Sequence, residues 1–89
     1  MQVKVTTHSG AEYIIDVSVG SGRLVSCTSA AAADIPLDNP NCVMTLDSVI
    51  KPGKSLRFIG NPGVLYSTAV NTWESLPVRG EVHRQWVTV

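Results

Sequence analysis

Residues 55–68 read Ser55-Leu56-Arg57-Phe58-Ile59-Gly60-Asn61-Pro62-Gly63-Val64-Leu65-Tyr66-Ser67-Thr68. Leu56 and Phe58 fall on one side of an extended chain with Arg57 between them on the other, the period of two shown by a half-buried strand. Gly60-Asn61-Pro62-Gly63 interrupts that pattern. Proline pre-sets φ at the first central position of a turn and glycine accepts a positive φ at the next, so Pro62 and Gly63 are expected to occupy those two places. Val64–Ser67 then runs back. An antiparallel hairpin over 55–68 follows, and it sets the fold class for the rest of the chain.

Working outward, the N-terminal part carries the same signal. Gln2–Thr7 alternates, with Val3 and Val5 on one side. Ser9-Gly10 breaks it, and Glu12–Val19 resumes with Tyr13, Ile15, Val17 and Val19 on one face; Ile14 is the exception on the other. Gly20-Ser21-Gly22 reads as a second turn and Arg23–Thr28 as a third strand, with Leu24, Val25 and Cys27 available for burial. The middle differs. Residues 29–41 contain Ala30-Ala31-Ala32-Ala33 behind a capping Ser29, and then Pro36 and Asp38-Asn39-Pro40-Asn41. Isolated helices this short do not hold in water, so an irregular crossing loop with one packed turn is expected. Beyond it, Cys42–Leu46 and Val49-Ile50 are apolar patches ahead of a turn at Lys51-Pro52-Gly53-Lys54.

Downstream of the hairpin, Ala69–Trp73 continues extended. Pro77 and Gly80 bracket a change of direction, and Glu81–Val89 reads as a last strand carrying Val82, Trp86, Val87 and Val89. Six to eight short strands separated by turns define an all-β chain: a small SH3-like barrel or a compact antiparallel sandwich, with at most one short helical turn near residues 29–34. Pairing of the first strand with the last would close the sheet and remove two edges. An open sheet that pairs across a dimer interface is the alternative.

With 89 residues the chain is expected to form one domain with a thin core, which favours oligomerisation. Seven basic and seven acidic residues leave no net charge, and only 16% of residues are charged. Such a surface gives no long-range attraction for a polyanion, which disfavours nucleic acid, and it favours self-association. No signal peptide or membrane span is visible, so a soluble, cytoplasmic protein without membrane contact is expected. Cys27 and Cys42 read as small buried thiols in a reducing compartment, with a bridge between them as the other option.

Chemistry-bearing patterns are scarce. His8, His83, Cys27 and Cys42 lack the close pairing of structural zinc ligands. Asp34, Asp38 and Asp47 fall in or near loops, and no nucleophile-elbow pattern accompanies the serines. Gly20-Ser21-Gly22-Arg23 leads into a strand rather than a helix N-terminus, so it lacks the geometry of a phosphate cradle. No enzyme, metal or cofactor is therefore expected. The candidate site is instead a cluster of arginines and rings toward the C-terminus: Arg57, Tyr66, Trp73, Arg79, His83, Arg84 and Trp86. Arginine and aromatic side chains bind planar or anionic ligands and are enriched at protein interfaces. Burial in the core is the ordinary alternative for Trp73 and Trp86.

The stretch Leu56–Leu76, together with Ser9-Gly10-Ala11-Glu12-Tyr13-Ile14-Ile15-Asp16 near the start, resembles small uncharacterised proteins of tailed bacteriophages, especially phages of actinobacteria. Tyr66, Ser67, Thr68 and Glu74 match the closing part of that pattern; Trp73 and the residues after Pro77 depart from it. The resemblance implies a viral accessory protein that binds host molecules, with no activity carried over. Three functions are expected in order: a non-enzymatic, oligomeric module that binds a host protein as a defence or regulatory inhibitor; an oligomer sequestering an anionic nucleotide; and a structural phage component.

Overall fold

A computed structural model describes residues 1–18 and 21–76. Six strands follow in order: β1 (Gln2–Thr7), β2 (Glu12–Ser18), β3 (Ser21–Cys27), β4 (Met44–Leu46), β5 (Ser55–Gly60) and β6 (Gly63–Leu76). Each pairs antiparallel with the next, and β6 returns to β1, so the sheet is a closed barrel rather than a sandwich. Among the described residues the only helical piece is a 3-10 turn, Ala30–Ala32, whose cap Ser29 accepts a hydrogen bond from the Ala31 N–H.

Closure differs from the expectation in one respect. The partner of β1 is β6, in register from Gln2 with Leu76 to Thr7 with Val70. The segment expected to close the sheet, Glu81–Val89, lies outside the described residues, as do the turn around Pro77 and Gly80, and Val19 and Gly20. The barrel is complete without them, because β6 is one strand of 14 residues where the sequence reads as two shorter pieces.

That long strand bends by bulges. Against β5 the register slips between Ser55 and Arg57, and against β1 between Thr6 and Thr7. An extra residue on one strand reverses the inward and outward parity beyond it and increases the local bend. A serine fills the gap in the first slip: the Leu56 N–H donates to Ser67 Oγ at 2.8 Å. A third slip, between Ile14 and Ile15 of β2, sits opposite Val25 of β3. Leu24 is consequently buried and Cys27 half-buried, three positions apart, while Val25 is turned outward, contrary to its expected availability for the core.

The core is formed by Val3, Val5, Tyr13, Ile15, Leu24, Met44, Leu56, Phe58, Leu65 and Val70, with Ala32 and Cys42 contributed by the crossing loop. Tyr13 and Phe58 stack across the middle, with ring centroids 5.9 Å apart and planes 13° from parallel. Ile35 and Leu37 pack on the core from the same loop. In the hairpin, Gly60 pairs with Gly63, so Asn61 and Pro62 are the two central residues. The positive φ falls as expected on Gly63, but that residue already belongs to β6.

Candidate functional site

The outer wall of β3–β6 carries several exposed apolar side chains. A cross-strand row runs Arg23–Thr45–Ile59–Val64, each the register partner of the next. Arg57 and Tyr66 form a second row directly beside it on β5 and β6. Directly opposed residues share a sheet face with Cβ atoms about 5 Å apart, so Ile59, Val64, Tyr66 and the Arg57 stem form one surface. Tyr66 is 62% exposed, Val64 50% and Ile59 39%. The alternation that buries Leu56 and Phe58 turns Ile59 and Arg57 out.

Arg57 is held in place. Its guanidinium lies 3.1 Å from the Asp47 carboxylate, its backbone carbonyl accepts from the Asp47 N–H, and its own N–H donates to Ser48 Oγ. Asp47 follows β4 directly, so the pair fastens the end of that three-residue strand to β5. Both partners are about half exposed, and such pairs contribute under about 1 kcal/mol.

Of the residues singled out from sequence, Arg57 and Tyr66 come together as direct partners. Trp73 does not join them. It sits further along β6, roughly 20 Å from Tyr66 by strand rise, as the register partner of wholly buried Val5. It therefore stands on the barrel's inner side, at an end where it remains 48% exposed, rather than filling the core. Arg79, His83, Arg84 and Trp86 lie outside the described residues. Ile59 and Val64 were missed by the sequence reading. Their signal was available in the strand alternation, but a lone isoleucine or valine facing outward is ordinary.

The far end of the barrel is polar. Ser9 lies within hydrogen-bond distance of both Thr7 and Thr68: its Oγ is 3.2 Å from Thr7 Oγ1, and its N–H donates to Thr68 Oγ1. This latch joins the β1–β2 turn to β6 beside a shallow depression lined by Ser9, Gly10, Ala11, Thr28, Ser29 and Ala30. Nearby, burial pushes the Tyr13 hydroxyl and the Cys27 thiol above their ordinary pKa values. Cys27 and Cys42 are both free thiols, Cys42 buried and Cys27 half-buried. A raised pKa keeps Cys27 protonated, the opposite of an activated nucleophile. On the outer side, Glu12 and Glu74 flank the Lys4 ammonium at 3.4 and 3.5 Å and hold its pKa above the ordinary lysine value.

Among the described residues no three His, Cys, Asp or Glu side chains gather to hold a metal ion, and no helix is long and apolar enough to cross a membrane. Ser21 and Gly22 belong to β3, paired with Ser18 and Val17, rather than to the turn expected there, and Gly22 packs against Leu46 and Ile15. Comparison with protein-family models, with curated proteins and with solved structures finds no match.

Proposed function

We propose that this chain is a non-enzymatic binding module that presents the outer wall of β3–β6 to a protein partner. The observation that carries the proposal is the joined surface of Ile59, Val64 and Tyr66 beside an arginine fixed by Asp47. Tyrosine and arginine are the residue types that dominate binding energy at interfaces. Because the surface is built on paired strands, little ordering entropy opposes docking. Its partner would offer a complementary apolar patch with an acceptor for the Tyr66 hydroxyl. The likeness to small phage proteins makes a bacterial host protein the one to seek.

A nucleotide-sequestering role is the second reading, since Arg57 and Tyr66 stand together. Two features favour the first. Small-molecule sites are concave, whereas this is the outside of a barrel, and Asp47 already occupies the guanidinium that would clamp a phosphate.

The test compares retention of bacterial proteins by the wild-type chain and by Tyr66→Ala. A partner held by the wild type and lost by Tyr66→Ala supports the proposal, provided the two melt alike. An exposed substitution of this kind changes stability by only about 0.5 kcal/mol. A nucleotide released from the purified protein on heating, with no protein partner dependent on Tyr66, would overturn it in favour of sequestration.

A further inference from the structure

Arg57 stands between two competing partners. Its strand, β5, runs between β4 and β6 in the barrel. On the β6 side its register partner is Tyr66. A cation and a ring on directly opposed residues, with Cβ atoms about 5 Å apart, are within reach of each other. On the β4 side is Asp47, whose Oδ2 lies 3.1 Å from Arg57 Nη1. At exposed positions an ion pair and a cation–π contact are of similar strength, so neither prevails by its nature. The backbone decides between them. The Asp47 N–H donates to the Arg57 carbonyl at 2.7 Å, and the Arg57 N–H donates to Ser48 Oγ at 3.1 Å. These bonds hold the carboxylate beside the arginine, so pairing loses little further side-chain freedom. The outcome shows on β6: Tyr66 is mostly exposed, and among the described residues no cation lies over its ring.

We infer that Asp47 is a positioning residue for the docking surface, drawing the guanidinium toward β4 so that the Tyr66 ring stays bare for an uncharged apolar group of the protein partner. The inference rests on the docking role proposed above and adds what sets its specificity. With Asp47 in place the ion pair is neutral as a unit, and the side chains beside the ring are Ile59 and Val64. Without it the arginine turns to the ring, covers the contact area and makes the surface a cationic one suited to acidic groups. Asp47 has this effect without touching the partner.

The test is NMR of the full chain, wild type against Asp47→Ala, a change that keeps both backbone bonds. In the variant the Arg57 Hδ signals should move upfield in the ring current of Tyr66. A neutral nitroxide in solution should broaden the Tyr66 ring signals less than in the wild type. Asp47→Glu should restore both wild-type readings, and the upfield shift should vanish in Asp47→Ala/Tyr66→Leu. A protein held by the wild type and lost with Tyr66→Ala should bind Asp47→Ala about three- to sixfold more weakly, the competition set by a cation–π contact at an exposed site. If Asp47→Ala does not fold, Asp47→Asn carries the same comparison. Arg57 signals unmoved in the variant, already upfield in the wild type, or upfield without Tyr66 would each overturn the inference, as would a partner held equally by wild type and variant. The spectra need no partner, so a chain that captures none refutes the docking role while the hold of Asp47 on Arg57 is decided separately.

Discussion

Replacing Gly60 with alanine probes how tightly β4 is wedged into the barrel. Gly60 ends β5 and has Met44 as its register partner on one side and Gly63 on the other. A Cβ at this position would overlap the Val43 carbonyl oxygen and come within 2.5 Å of Met44 Sδ. The methionine can rotate away; the carbonyl cannot. Relief requires β4 to move, and β4 is only three residues long and tied to β3 by the single register pair Arg23 with Thr45. Overpacking costs about 1–3 kcal/mol, and a backbone obstacle together with a disturbed ladder bond puts this case near 3 kcal/mol. In a domain of this size the melting temperature should fall by about 12–24 °C. Gly53→Ala is the control: Gly53 has φ +83 with open space around it, so only the left-handed backbone is penalised, by about 1 kcal/mol. Urea titrations followed by far-ultraviolet circular dichroism measure both. A Gly60→Ala loss below about 1 kcal/mol, or one smaller than the Gly53→Ala loss, would refute the wedge.

Two further outcomes follow from the core. Phe58→Ala empties a wholly buried site and removes the stack on Tyr13, so calorimetry should show a loss of about 3–5 kcal/mol. Alkaline pH should also destabilise the fold. Cys27 and Tyr13 have folded pKa values raised above the ordinary 9.0 and 10.0. Above those values the unfolded chain releases protons that the folded chain retains, so stability falls as pH rises. Melting temperatures should hold steady up to about pH 9 and then decline, and Cys27→Ser should remove the earlier part of the decline.

How far the sequence could be read depended on where the alternation was unbroken. β1, β2 and β5 carry a period of two, and their inward residues Val3, Val5, Tyr13, Ile15, Leu56 and Phe58 are all buried. Residues 29–41 were legible because alanines behind Ser29 can sustain only one turn before Pro36. Bulges hid the remainder. In β3 the extra residue at Val25 puts Leu24 and Cys27 on the core side three positions apart, which no strict alternation suggests. In β6, Leu65 and Val70 face inward five positions apart because a slip lies between them, so one strand looked like two and its closing role went unseen. Arg57 and Tyr66 are opposed because a Gly60–Gly63 hairpin sets their register. The placement of Trp73 depends on pairing with β1, information held at the other end of the chain.

That same pairing imposes an order of events on a chain emerging from the ribosome. β1 can meet β2 almost at once, but its other edge has to wait for Val70–Leu76, made far later in synthesis. At roughly 5–20 residues per second, an unclosed curl of strands persists for several seconds with Val3 and Val5 accessible at its rim. Contacts between such distant residues also make closure intrinsically slow. The nascent barrel is therefore most open to wrong partners during synthesis, and the rate of ring closure would govern its yield more than its equilibrium stability.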